Sequence, residues 1–139
     1  MKTIVLSGGM DPLHAYHCKM INEAKKYGKV IVLLNSDEWL VRKKGYCFMP
    51  YEERKMIIES LRSVDKVLKA LDNDNTVCKS LIELKPDYFG NGGDRKLTTT
   101  PEVEICKKYG IEMIWELGGS KKGQSSSELV ANAMKKIKA

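Results

Sequence analysis

The chain has 139 residues, 42% of them hydrophobic, with 24 Lys and Arg against 18 Asp and Glu and a formal net charge of +6. That size and apolar share fit one globular domain, and the opening Met1-Lys2-Thr3-Ile4-Val5-Leu6 turns polar too soon for a signal peptide or a membrane span, so a cytosolic protein is expected. The charge favours anionic partners, but its lysines and arginines are dispersed and no aromatic ladder interleaves them. A phosphorylated small molecule therefore stands ahead of nucleic acid or a membrane surface.

Thr3 to Leu6 is expected to form a first buried strand. It leaves through Ser7-Gly8-Gly9-Met10-Asp11-Pro12-Leu13-His14-Ala15-Tyr16-His17, a Gly pair followed by a helix entrance that holds the chain's only two histidines, three residues apart. Free N–H groups at a helix start attract anions, and imidazoles are short, directional donors that can carry charge. His14 and His17 are thus candidate catalytic residues, with Gly8, Gly9, Met10 and Asp11 as candidate nucleotide-binding residues; the plain alternative is a strand-turn-helix connection with two surface histidines. A helix is expected over Lys19 to Tyr27, ended by Gly28, and then a strand over Val30 to Leu34.

Asn35 to Met49 is expected to be a long irregular loop. It contains Trp39-Leu40-Val41-Arg42-Lys43-Lys44-Gly45-Tyr46, and a basic run in a loop is often merely solvated. Its place after the second strand puts Lys43 or Lys44 within reach of a phosphate. Pro50 suits the first turn of a helix over Tyr51 to Leu61, followed by a strand over Asp65 to Leu68, a helix over Val77 to Leu84 and a strand over Tyr88 to Phe89. Next, Gly90-Asn91-Gly92-Gly93-Asp94-Arg95 permits either a tight structural turn or close approach to a nucleotide, with Gly92, Asp94 and Arg95 as contacts. A helix over Glu102 to Tyr109, ended by Gly110, precedes a strand over Ile111 to Trp115.

The last helix is expected from Ser126 to about Lys138. Ser125 to Glu128 fits the S-x-x-E capping pattern. Ser125, Ser126 and Ser127, with Lys121 and Lys122 just before them, would also hold a polyphosphate at the positive end of the helix, and capping and anion binding are compatible. Cys18, Cys47, Cys78 and Cys106 form no close pair, which excludes a zinc knuckle or a redox C-x-x-C and leaves idle thiols. Short, almost wholly apolar strands alternating with helices indicate an α/β fold: a Rossmann-like, five-stranded parallel sheet with helices on both faces, in a single domain spanning 1–139. Ligands of such sheets bind at the carboxyl ends of the strands.

His14-Ala15-Tyr16-His17 resembles the H-x-G-H motif of the cytidylyltransferase-like nucleotidyltransferases, a family that includes glycerol-3-phosphate cytidylyltransferase and heptose-phosphate adenylyltransferase. Tyr51-Glu52-Glu53-Arg54 resembles its E-E-R segment, Leu61-Arg62-Ser63-Val64-Asp65 its R-x-V-D, Gly92-Gly93-Asp94-Arg95 its glycine-Asp loop, and Ser125-Ser126-Ser127 its serine signature. The resemblance implies a homodimer that transfers CMP or AMP from a nucleoside triphosphate to a phosphorylated polyol or sugar and releases pyrophosphate, with Mg²⁺ accompanying the triphosphate. It assigns His14 and His17 to the α-phosphate, and Lys43 or Lys44 to a bridge between donor and acceptor. Arg62 falls to the acceptor, Asp94 to the nucleotide loop, and Ser125 to Ser127 to the β- and γ-phosphates. Two departures stand out: Tyr16 replaces the motif glycine, and Ser120-Lys121-Lys122 stands where the family often has arginine. The first motivates an alternative, a nucleotide-binding module whose transferase activity is weak or lost.

Overall fold

The computed structural model describes residues 1–71, 76–92, 101–119 and 125–138. Along the chain run β1 (Thr3–Gly8), α1 (Ala15–Ala24), β2 (Lys29–Leu34), α2 (Asp37–Lys44), α3 (Tyr51–Glu59), β3 (Lys66–Lys69), α4 (Cys78–Leu84), β4 (Tyr88–Gly92), α5 (Glu102–Tyr109), β5 (Glu112–Leu117) and α6 (Ser126–Lys138). The strands make one parallel sheet in the order β3-β2-β1-β4-β5.

β1 is central, and its Ile4, Val5 and Leu6 are fully buried because both faces are covered. Ile4 and Leu6 pack with Met20, Ile21 and Ala24 of α1 and Ile58 of α3. Val5 points the other way, into a second cluster with Leu81 of α4 and Cys106 of α5. Side-chain alternation along one strand thus builds two cores. From β1 the chain winds outward to β2 and β3, then crosses back to β4. The connections leaving β1 and β4 therefore diverge, and a crevice opens at their carboxyl ends.

Asn35 to Met49 is not the irregular loop that its polarity implies, because α2 occupies Asp37–Lys44. The local signals are complete. Ser36 Oγ accepts the Trp39 N–H at 3.1 Å, Asp37 and Glu38 fill the first turn, three basic residues fill the last, and Gly45 ends the helix at φ +88. Only Leu40 of this helix is fully buried, so its apolar periodicity is faint. Likewise α1 begins at Ala15 rather than Lys19, β1 and β5 extend two residues beyond their expected ends and β4 three, through glycines in β1 and β4.

Candidate functional site

A cleft of about 230 Å³ lies at the carboxyl ends of β1 and β4. Its lining includes Gly8, Gly9 and Met10 after β1, His17 in the first turn of α1, Lys43 and Lys44 from α2, Gly92 from β4, and Ser125 to Ser127 at the start of α6. The Ser126 hydroxyl donates to the Pro12 carbonyl at 2.7 Å, tying the entrance of α6 to the loop that leads into α1. Two helix N-termini, more than a hundred residues apart in sequence, thereby share one cleft. Each contributes the positive end of its helix dipole. The Ser125 carbonyl accepts the Leu129 N–H at 3.0 Å, as a residue capping the helix does.

His14 caps α1 in extended conformation and His17 is the third residue inside. Their rings stack with centroids 3.8 Å apart. His17 Nδ1 accepts the His14 backbone N–H at 3.2 Å, so in this tautomer the His17 proton resides on Nε2. The two lysines differ. Lys44 Nζ donates to the Asp11 carbonyl at 3.1 Å, whereas Lys43 is exposed and lies 5.3 Å from the centre of the Trp39 ring, which also lines the cleft.

Asp11 is placed otherwise than expected of a nucleotide contact. It is fully buried and its two carboxylate oxygens accept the Phe48 and Met49 amides, so it holds the connection between α2 and α3 against the loop after β1. Met10, at φ +49, lines the cleft and also belongs to the first core cluster. Arg62 is not brought to the cleft. It lines a separate notch with Cys18, Ile21, Asn22 and Leu61. Asp94, Arg95, Lys121 and Lys122 lie outside the described residues.

Arg54, to which the E-E-R resemblance assigned no role, is 1% exposed. Its Nε donates to Met49 O at 2.8 Å, Nη1 to Gly9 O at 2.9 Å and Asn35 O at 2.8 Å, and Nη2 to Asp37 Oδ1 at 2.7 Å. One guanidinium therefore joins the loops after β1 and β2 to the start of α2 and the end of the following connection, a use of the planar five-donor fork that lysine lacks. The available signal was spacing: Arg54 precedes Ile58 by one helical turn, which puts a charge on the buried face of α3. Burial alone would raise the Asp37 pKa, but hydrogen bonds from Arg54, Cys47 and the Tyr51 amide outweigh it and hold the carboxyl below its ordinary value. Burial, then the neighbouring Asp37, pushes the Cys47 thiol up.

Tyr16 is part of the cleft wall without filling the cleft. It is 6% exposed, its hydroxyl donates to the Leu117 carbonyl at 3.1 Å, and its ring packs beside Gly118 at the end of β5. Among the described residues, no three His, Cys, Asp or Glu side chains gather to hold a metal, and no helix is long and apolar enough to cross a membrane.

Residues 5–132 match the family model described as cytidylyltransferase-like. The chain is 31% identical over 112 residues to the FAD synthase of Ferroglobus placidus, an alignment covering 81% of this chain and 72% of that one. It is 33% identical over 95 residues to the glycerol-3-phosphate cytidylyltransferase of Bacillus subtilis, covering 68% and 73%. Its fold matches the crystal structure of a lipopolysaccharide core biosynthesis protein from Thermoplasma volcanium with a TM-score of 0.69 at 24% identity, covering 84% of this chain and 96% of the other.

Proposed function

This chain belongs to the cytidylyltransferase-like family of nucleotidyltransferases, and on that premise we propose that it transfers CMP or AMP from a nucleoside triphosphate to a phosphorylated polyol or sugar. An oxygen of the acceptor phosphate attacks the α-phosphorus in line. The bond to the β-phosphate breaks, and pyrophosphate leaves with the electron pair. The acceptor is already ionised at neutral pH, so the site needs no general base; the barrier comes from mutual repulsion of anions and charge growing at the α-phosphate. His17 Nε2 donates to the α-phosphate oxygens, backed by the stacked His14. The α6 N-terminus and Ser125 to Ser127 receive the β- and γ-phosphates, and Lys43 and Lys44 offset the charge between donor and acceptor.

The observation that carries this reading is the Ser126 to Pro12 hydrogen bond, because it joins the two helix starts around one cleft. Among the described residues no carboxylate lines that cleft. Mg²⁺ belongs to this scheme as a companion of the triphosphate. The protein works in the cytoplasm as a homodimer, for which exposed Met56 and Ile57 of α3 and Met134 and Ile137 of α6 supply apolar surface.

The test is pyrophosphate release from ATP, CTP, GTP and UTP with glycerol phosphate, heptose phosphate, choline phosphate and, given the FAD synthases among the relatives, a flavin phosphate. Release that requires one nucleotide and one phosphorylated acceptor supports the proposal. Nucleotide binding without product under any acceptor supports the binding-module alternative.

A further inference from the structure

Tyr16 and Glu23 stand seven residues apart on α1, two turns along one face. Both reach the same peptide unit at the end of β5. The Tyr16 hydroxyl donates to Leu117 O at 3.1 Å, and the Gly118 N–H donates to Glu23 Oε2 at 2.5 Å. Leu117 C=O and Gly118 N–H are the two polar groups of a single peptide bond, buried with its residues, so α1 satisfies both. Gly118 has φ +84, and a Cβ there would come 3.1 Å from Tyr16 Cε1 and 3.5 Å from Met20 Cα. The backbone thus lies directly against the helix, in a conformation that glycine alone adopts without cost.

The far end of this connection is tied to the same segment, because Ser126 Oγ donates to Pro12 O. Both ties land between Pro12 and Glu23, the stretch that carries the two histidines.

We propose that Tyr16, together with Glu23, is a positioning residue: the clamp on the Leu117–Gly118 peptide sets the separation between His17 and Ser125 to Ser127, and with it the fit of the cleft to a chain of phosphates. The inference rests on the transferase reading above. It assigns Tyr16 a task where the family motif has glycine, holding the end of β5 by a side chain that a glycine could not provide.

The experiment measures binding of inorganic pyrophosphate in the presence of Mg²⁺ by calorimetry, and backbone amide exchange, on the full chain. Tyr16→Phe keeps the ring and removes the hydroxyl; affinity should fall and Gly118 exchange accelerate by about tenfold each, the scale of one buried hydrogen bond. Glu23→Ala should do the same, whereas Glu23→Gln keeps an acceptor for the Gly118 N–H and should restore both values. Exchange in β1 and β2 should not change in any variant, which separates a lost clamp from general loosening. Wild-type pyrophosphate affinity in Tyr16→Phe, or a Glu23→Gln variant as weak as Glu23→Ala, would overturn the proposal. If the unmodified chain binds neither pyrophosphate nor any nucleoside triphosphate, the transferase reading fails instead, and Gly118 exchange still reports whether the clamp exists.

Discussion

Replacing Arg54 by methionine keeps most of the buried stem and removes every donor. Three main-chain carbonyls, those of Gly9, Asn35 and Met49, then lose a charged partner, and Asp37 loses its ion pair. An uncompensated buried group costs about 1–3 kcal/mol, and breaking one side of a buried pair costs about 3–5 kcal/mol. The Asp37 side chain is 42% exposed, so water recovers part of its share and the lower end applies, about 3–4 kcal/mol. A chain of this size has a total of about 7–15 kcal/mol. Arg54→Met should therefore still fold while its unfolding free energy from urea titration drops by that amount. Turnover should fall further than stability alone requires, by about 10² or more, because the loop bearing Gly9 and the helix bearing Lys44 lose their common anchor and small misplacements of reacting groups are costly. Arg54→Lys should recover only part of either loss, since a single ammonium cannot fork to four acceptors. Urea unfolding and pyrophosphate release on the same preparations check this. An unfolding free energy within about 0.5 kcal/mol of wild type would refute the reasoning, since that is the range of surface substitutions away from any special contact.

His17→Ala should lower turnover by about 10² without moving the urea midpoint by more than one small-residue substitution does, because it removes a donor aimed at developing charge; undiminished pyrophosphate release excludes that role. Asp37 is held below its ordinary pKa in the folded state, so its contribution is present above about pH 4 and is lost as the pH falls through the folded value. Asp37→Asn should accordingly flatten part of the acid limb of stability against pH, leaving the part due to Asp65, whose hydrogen bond from Lys25 also holds it low; identical slopes in wild type and variant contradict this. The Cys106 thiol is pushed up to about 11, first by burial and then by Glu102, and is 2% exposed. At pH 8 a thiol reagent should label it only after unfolding, while half-buried Cys18 reacts in the native state, and peptide mapping distinguishes the two.

The alternation of Ile- and Val-rich strands with helices made the layer order legible, because strands covered on both faces must be apolar throughout. The Gly8-Gly9 exit and the serine triplet likewise marked two helix starts. That they meet was implied by the family resemblance but not by residue types alone, since it depends on the crossover between β3 and β4 and on the Ser126 to Pro12 contact. α2 escaped because a short, charged helix that buries one residue leaves little periodicity, although its caps were present in the sequence. Asp11 and Tyr16 show the same limit. A residue type near a site does not disclose which backbone groups its side chain satisfies, and here those partners lie dozens of residues away.

The most direct test of a shared phosphate cleft is calorimetric titration of the chain with an α,β-methylene analogue of the nucleoside triphosphate that it uses. The account predicts one molecule bound per chain, with affinity reduced by His17→Ala and separately by a Ser125→Ala, Ser127→Ala double variant. An analogue whose binding ignores either change, or that occupies two independent places on the chain, would contradict it.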